Sequence, residues 1–367
     1  MNARPSTYLQ GLGSLQLLAV LAVVIGHYWA HDTVYLNSVG VSFCFVYSGY
    51  FTRKRHTFGP GYGLKDHGRF LWNKLARLYP LHLLGIALGI LGSFLTWHAG
   101  GVGPKIMLAH LTLTSPWLAN PAYYFGANPV AWFICVLFFL YAVAPIVVRL
   151  LARIPTRWQV ALIAVLIALE FIIGYAPDIE THSRLLGRYT HYALYQFPPI
   201  RLLDFATGIV LYNVSQTGWW QSARQRLTPR HSTVIEVTAL VGFIALYYVG
   251  KQWLHPHCYR SLAASVPAII VLLPGFVLTS EAGGTLTRLL SVKPLAALSP
   301  LGAEIYLLQF GVNYCLLSLY KQTVLPHYPI AYLLVRLCVL IAVCWLVHRC
   351  LTTPLYRRIA LTPTDHR

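Results

Sequence analysis

A single histidine near the end of a long apolar segment is the residue of this chain best suited to chemistry. The segment runs from Leu12 to Trp29, with His27 close to its end, and it is long enough to cross a bilayer core of ~30 Å. Its other strongly polar side chain is Gln16, which a helix places on nearly the same face, roughly 16 Å away. Ionisable groups within membrane helices mark functional sites, and histidine transfers protons near neutral pH. We predict a proton-transfer role for His27, with a packed histidine bonded to a backbone carbonyl as the alternative.

Asp204 is the acidic residue best placed to act with His27. It follows Arg201 by three positions in the segment PPIRLLDFATG, so the two side chains can pair on one helical face. The pair is either a structural ion pair or part of a site. A carboxylate would hold the imidazole tautomer of His27, and the candidates for that role are Asp204 and Asp32.

The composition is that of a polytopic membrane protein. Hydrophobic residues make up 57% of the 367 positions and charged residues 10%, against about 25% charged residues in soluble domains. We expect an all-α, polytopic membrane bundle in one membrane domain, residues 1–367, with no appended soluble domain. It would have about ten spanning helices. The expected spans are roughly 12–30, 34–51, 78–97, 129–150, 158–176, 199–214, 232–250, 262–279, 295–319 and 328–350.

The net charge of +18 is explained by topology. If the N-terminus is placed in the cytoplasm, most lysines and arginines fall on the inner side, which is the positive-inside bias. Both termini, including the short tail 351–367, are then cytoplasmic, while His27 and Asp204 lie toward the outer side. This distribution favours the lipid bilayer as the partner and argues against nucleic acid.

The highest density of positive charge is in the predicted inner loop 52–77. Its one acidic residue is Asp66, and its cations are Arg53, Lys54, Arg55, Lys65, Arg69, Lys74 and Arg77. Such a density suits an anionic, phosphate-bearing ligand. It is equally typical of ordinary positive-inside charge, and both interpretations stay open on the residues alone.

Aromatic residues crowd the outer stretch from His98 to Trp132, and Tyr124 is among them. Aromatic side chains at a membrane boundary commonly form an interfacial belt. They can also stack on the apolar faces of sugar rings. The sequence favours the belt and leaves the sugar platform open.

The outer segment His255-Pro-His257-Cys258 contains residue types that bind metals. A loop turn is the plainer interpretation of so short a cluster. The seven cysteines form no CxxC pair, and most of them lie in apolar segments, where they act as small apolar fillers. We therefore expect no metal site.

Motifs along nearly the whole chain, taken in order, resemble those of the membrane acyltransferase-3 family. The opening resembles the family in LQLLAVLAVVIGH, GVSFCFVYSGYFTRKR and FLWNKLARLYPLHLL. The later segments AWFICVLFFLYAVAP, PIRLLDFATGIVLY, LGAEIYLLQFGV and LTTPLYRRI are similar in kind. Each motif is short, and the specificity of the resemblance comes from their order and spacing.

The resemblance implies an enzyme that moves an acyl group, usually acetyl, from cytoplasmic acetyl-CoA to a hydroxyl group. The acceptor would be a sugar of an exopolysaccharide or of a lipid-linked glycan precursor. Acetyl-CoA would be a donor substrate, and no tightly bound cofactor is expected. The implied location is a bacterial inner membrane, where polysaccharide assembly proteins are possible partners.

The resemblance assigns roles to particular residues. His27 matches the family histidine, and Lys74 and Arg77 match a basic pair that would hold the CoA phosphates. The chain departs from the family pattern where Gln16 and Lys74 stand in place of arginines and where Gln309 stands in place of a frequent histidine. Lys74 keeps the charge but lacks the bidentate fork of arginine.

Further candidates follow for each substrate. The further candidates for binding the donor are Arg53, Arg69 and Gln16. Gln16 is assigned no charge role. The candidates for binding the acceptor are Arg201, Trp132 and Tyr124. His27 would act as a general base or would carry the acyl group transiently.

Two other functions stay open. A transporter or flippase for a lipid-linked sugar would suit the helices and the basic loop, although no internal repeat is visible. A non-catalytic scaffold of a polysaccharide assembly complex is compatible with the change at Gln16. A transporter would work without consuming acetyl-CoA, and a scaffold would tolerate His27→Ala.

Overall fold

All regular structure in the described part of the chain is helical. The computed structural model describes residues 7–29, 34–95, 102–175, 192–253, 262–321, 323 and 327–361. The α-helices are α1 (Thr7–Tyr28), α2 (Val34–Arg55), α3 (Leu64–Leu95), α4 (Pro104–Leu111), α5 (Pro121–Tyr124), α6 (Ala131–Ala152), α7 (Thr156–Tyr175), α8 (Leu202–Ser215), α9 (Gly218–Gln225), α10 (Pro229–Trp253), α11 (Leu262–Thr279), α12 (Thr285–Leu290), α13 (Lys293–Leu298), α14 (Gly302–Lys321), α15 (Pro329–Val347) and α16 (Thr353–Ile359). The predicted all-α class is confirmed.

The protein is a multi-pass membrane protein. Six described helical segments are long and apolar enough to cross a membrane, namely Gln10–Tyr28, Leu64–Leu95, Ala131–Ala152, Pro229–Gly250, Lys293–Leu317 and Pro329–Ile359. Three shorter apolar helices are Thr156–Leu169, Leu202–Ser215 and Val266–Thr279. The number of about ten spans stays a prediction.

The basic loop is shorter than its sequence suggests. α2 continues to Arg55 and α3 already begins at Leu64, so the connecting loop is 56–63. Residues 64–77 join the helix because they carry good helix formers and no proline. Most of the basic residues of this region are therefore held on helices rather than on a flexible loop.

α14 packs closely along α3 and beside α1. A Cβ atom added at Gly85 of α3 would lie 2.9 Å from the carbonyl oxygen of Leu307, and one at Gly92 would lie 2.9 Å from the amide nitrogen of Cys315. Small residues allow membrane helices to approach in this way. The two contacts advance together along the chain, so α3 and α14 run in the same direction.

The loop 56–63 is fixed by one arginine of α6. The Nε atom of Arg149 donates to the carbonyl oxygen of Phe58 at 3.0 Å, and its Nη2 donates to the carbonyls of Gly59 at 3.2 Å and Tyr62 at 2.9 Å. Phe58 has a φ of 50°, a strained conformation for a non-glycine residue. The three hydrogen bonds hold the backbone of this loop beside the start of α3.

The C-terminal segment binds the same end of α3. The indole Nε1 of Trp72 donates to the carbonyl oxygen of Ile359 at 2.8 Å. Asn73 and Leu361 exchange two hydrogen bonds, of 2.9 and 2.7 Å. We call the end of the bundle where α2 ends and α3 begins the basic end.

α2 and α8 make a very close helix contact. A Cβ atom added at Gly208 would collide with the carbonyl oxygen of Val46 and lie 2.7 Å from the amide nitrogen of Tyr50. Both obstacles are backbone atoms, which cannot rotate away as a side chain can. The glycine is therefore required by the approach of the two helices.

Gly208→Ala is expected to destabilise the protein by about 1–3 kcal/mol, the usual cost of overpacking a tight contact. The measurement is thermal unfolding of the purified protein in detergent. Gly218→Ala is the matched control, because a Cβ atom there meets nothing within 4 Å. Equal unfolding temperatures for the two variants would show that the α2–α8 contact is looser than described.

Candidate functional site

A cavity of about 370 Å³ lies at the basic end, between α1, α2, α3, α6 and the start of α14. Part of its wall is apolar and includes Val20, Ile134 and Leu137. Its polar lining comprises Gln16, Tyr47, Ser48, Thr52, Arg55, Lys74, Arg77, Tyr141, Ser299 and Tyr306. The cavity thus combines a basic region with an apolar interior.

Three cations line this cavity, and no acidic side chain is among its described lining residues. They are Arg55 at the end of α2 and Lys74 and Arg77 on α3. The ammonium group of Lys74 lies 4.4 Å from the ring centroid of Tyr141 and 5.2 Å from that of Phe70. Cations gathered without carboxylates suit a ligand with several negative charges.

His56, in the loop beside the cavity, adds no charge to this cluster at neutral pH. Its ring packs edge-on against Phe70, with ring centroids 4.9 Å apart. Burial, together with the positive charges of Lys74 and Arg55, lowers the pKa of His56 to about 4. The positive charge of the cavity therefore does not depend on His56.

The cavity gathers only some of the residues predicted to bind the donor. Gln16, Lys74 and Arg77 line it, whereas Arg53 and Arg69 do not. The Nε atom of Arg53 donates to the side-chain oxygen of Asn213 on α8 at 3.2 Å. The site also contains Arg55, which the motifs did not single out although it belongs to the same basic run.

His27 is half-buried toward the opposite end of α1, where it meets α14. Its Nδ1 atom lies 2.8 Å from the side-chain oxygen of Gln309, and its ring centroid lies 5.0 Å from that of Phe310. The amide nitrogen of Gln309 donates to the carbonyl oxygen of Tyr306 at 2.8 Å, so the amide oxygen is the atom facing His27. Nδ1 then carries the proton, which leaves Nε2 unprotonated, with a lone pair that can accept a proton or attack a carbonyl carbon.

An aromatic contact lies in the part of the cavity lining formed by α6 and α14. Val20 is the lining residue of α1 nearest to His27, and seven residues of helix correspond to roughly 10 Å along the axis. Phe133 and Tyr306 both line the cavity, and their ring centroids are 4.6 Å apart. Gln309 is one helical turn beyond Tyr306. Along α14, Tyr306 therefore links the cavity lining to the residue that contacts His27.

The predicted Arg201–Asp204 pair is confirmed and is fully buried. Nη1 of Arg201 lies 3.0 Å from the Asp204 carboxylate, at 0% exposure for both side chains. Nη1 also donates to the hydroxyl of Ser42, and Nε donates to the carbonyl oxygen of Tyr195. The partner of His27 at Nδ1 is Gln309, so the catalytic role of Asp204 stays a prediction. Asp32 lies outside the described residues.

The aromatic candidates for the acceptor are packed inside the protein. Trp132 is 3% exposed and Tyr124 is 2% exposed. The Trp132 ring lies 5.7 Å from the guanidinium carbon of Arg201, and the Tyr124 ring stacks on Tyr192 with centroids 5.7 Å apart. Neither ring presents an open face in this conformation, and their role in acceptor binding stays a prediction. The segment 255–258 lies outside the described residues.

Fold and site together define a multi-pass helical membrane protein with a basic cavity at one end and a hydrogen-bonded histidine toward the other. The sequence model of the acyltransferase-3 family, described as "Acyltransferase domain", matches residues 9–349, and the chain belongs to this family. The resemblance inferred from the motifs is confirmed.

One relative is named "Acyltransferase MdmB", from Streptomyces mycarofaciens. It is 29% identical over 196 residues, which are 51% of this chain and 49% of the relative. The chain thus spans about half the length of the curated relative that it matches. No solved structure matches this chain.

Proposed function

We propose that the protein is an O-acyltransferase that moves an acetyl group from cytoplasmic acetyl-CoA to a sugar hydroxyl. The acceptor would belong to an exopolysaccharide or to a lipid-linked glycan precursor. The observation that carries the proposal, in a chain of this family, is that α1 joins two features. It lines the cavity that holds Arg55, Lys74 and Arg77, and it carries the histidine that contacts Gln309. A phosphate-rich donor and a group that accepts protons are the two requirements of this chemistry.

The donor would bind with its phosphates on Arg55, Lys74 and Arg77. A volume of about 370 Å³ is at the small end of ligand pockets. We therefore expect the narrow pantetheine arm to enter the cavity while the nucleotide stays at its mouth. The apolar walls formed by Ile134 and Leu137 suit the uncharged arm. We propose that the contact between Phe133 and Tyr306 opens when the thioester moves toward His27.

The acceptor would approach His27 from the opposite side. Nε2 of His27 would take the proton of the sugar hydroxyl as the hydroxyl oxygen attacks the thioester carbonyl carbon. The carbon–sulfur bond then breaks, an ester bond has formed, and the proton leaves with the CoA thiol. A route through an acyl-histidine needs the same free lone pair on Nε2, and the proposal holds for either route.

The basic end would face the cytoplasm of a bacterial cell, with the protein in the inner membrane. Arg55, Lys74, Arg77 and Arg149 gather at this end, in keeping with the positive-inside rule. We propose about ten spans in one membrane domain, with both chain termini on the cytoplasmic side. Acetyl-CoA is a cytoplasmic metabolite, so this orientation places the donor cavity on the side of its substrate.

A strain of the source organism that lacks this protein is expected to lose one ester-linked acetyl group from its surface or extracellular polysaccharide. Expression of the wild-type protein should restore the group. The measurement is NMR and mass spectrometry of the purified polysaccharides. An unchanged acetyl pattern with less polymer would contradict the proposal and point to transport or assembly.

A further inference from the structure

A buried arginine of α15 contacts the end of the helix that carries His27. Arg336 is 9% exposed, and its Nη1 donates to the carbonyl oxygen of Tyr28 at 3.1 Å. Its Nε donates to the side-chain oxygen of Asn313 at 2.7 Å. The guanidinium carbon also lies 3.9 Å from the ring centroid of Tyr28 and 4.9 Å from that of Tyr332.

The charge of Arg336 has a clear electrostatic partner in the end of α1. A buried cation in a membrane helix is costly unless its surroundings compensate for the lost water. Tyr28 is the last residue of α1, so its carbonyl belongs to the helix end that lacks internal hydrogen-bond donors and carries partial negative charge. The guanidinium satisfies this carbonyl and caps the C-terminus of α1.

Arg336 contacts both of the helices that form the hydrogen bond between His27 and Gln309, at positions just beyond that bond. On α1, Arg336 holds Tyr28, which directly follows the histidine and whose hydroxyl donates to the backbone oxygen of Gln309 at 2.7 Å. On α14, it holds Asn313, which is about one helical turn beyond Gln309. One side chain thus ties together the two helices whose spacing sets this hydrogen bond.

We infer that Arg336 is a positioning residue that fixes His27 against Gln309 and thereby aims the Nε2 atom of His27 at the reacting groups. The inference rests on the proposed function, which makes His27 the group that exchanges protons or acyl with the substrates. Without the guanidinium, the end of α1 would keep its helix and its own contacts with Gln309, but it would lose the link through Arg336 to Asn313 and to α15. A displacement of the imidazole by about 1 Å is enough to cost ~100-fold in rate.

Arg336→Met is expected to lower kcat for acyl transfer by ~10–100-fold per folded molecule. The KM for acetyl-CoA should stay within about twofold, because Arg336 does not line the cavity that holds the donor cations. Arg336→Lys should recover part of the loss, since it restores a charge but not the fork that reaches both Tyr28 and Asn313. Tyr332→Phe is the control, because it keeps the ring beside Arg336.

A double-variant cycle with Gln309→Ala tests the route of the effect. If Arg336 acts through the His27–Gln309 contact, adding Arg336→Met to Gln309→Ala should cost less than about twofold more. If the kcat losses of Arg336→Met and Gln309→Ala simply multiply in the double variant, the inference is overturned. An unchanged kcat for Arg336→Met would also overturn it. If that variant does not fold, Asn313→Ala removes a single contact of the guanidinium and is measured in its place. Absence of transfer by the wild-type protein would contradict the proposed function itself, which separates the two failures.

Discussion

Replacing His27 with alanine is expected to lower acyl transfer by ~10²–10⁴-fold, the range that general acid–base groups contribute. The variant loses the one atom, Nε2, that can take the hydroxyl proton or carry the acyl group. The fold should persist, because the ring of His27 is half-buried and its described contacts are one hydrogen bond to Gln309 and one ring contact to Phe310. The measurement is transfer of labelled acetyl from acetyl-CoA, normalised to the folded protein in the membrane.

His231→Ala is the matched control for this loss, because His231 is exposed near the start of α10, at the basic end. It should leave the rate unchanged. The transfer rate of Gln309→Ala should lie between those of His27→Ala and His231→Ala, since this change frees the imidazole to rotate without removing it. Normal transfer by His27→Ala would remove the central role assigned to this residue, and a scaffold function would then explain the protein better.

Removing the cations of the cavity is expected to weaken the use of the acyl donor. Lys74→Gln and Arg77→Gln should each raise the KM for acetyl-CoA by ~10–100-fold, which corresponds to losing a charge-assisted hydrogen bond of about 1.5–3 kcal/mol. The acceptor KM should change little, because the acceptor would approach from the far side of the contact between Phe133 and Tyr306. Initial rates at varied donor and acceptor concentrations separate the two constants.

Arg69→Gln provides the control, since it makes the same charge change on the same helix without touching the cavity lining. Its donor KM should equal that of the wild type. Arg55→Gln should behave like the variants of Lys74 and Arg77, because Arg55 also lines the cavity. If the Lys74 and Arg77 variants raise the KM for donor and acceptor equally, these cations support the structure instead.

The helical class and the family could be predicted from the sequence, because both depend on local patterns. Long apolar segments indicate membrane helices wherever they occur, and most of the ordered motifs lie within or nearly within a single helix. The Arg201–Asp204 pair was predictable for the same reason, since three residues of helix bring the two side chains onto one face. The pair is found at 3.0 Å.

The choice among neighbouring cations depended on helical phase, which the sequence leaves open. Arg53 and Arg55 are two positions apart, so a helix turns them by about 200° relative to each other. Arg53 therefore faces Asn213 on α8, while Arg55 faces the cavity. Whether Arg53 or Arg55 faces a ligand depends on how the neighbouring helices are arranged around α2. That arrangement is a property of the assembled bundle.

The partner of His27 could not be inferred from local sequence. Gln309 is separated from His27 by 282 positions. In the sequence, Gln309 stands out only as a departure from the family pattern. The prediction named Asp204 and Asp32, because a carboxylate is the group that usually orients a histidine. An amide oxygen orients the ring equally well when its own nitrogen is held, as the carbonyl of Tyr306 holds it here.

The most direct test of the account is acetyl transfer by the purified protein reconstituted in lipid vesicles. Labelled acetyl-CoA is supplied with a lipid-linked glycan fraction from the source organism, and the label in the glycan is measured for the wild type and for His27→Ala. The account predicts ester-linked label with the wild-type protein and a loss of ~10²-fold or more with the variant. Equal labelling by the two proteins would contradict it.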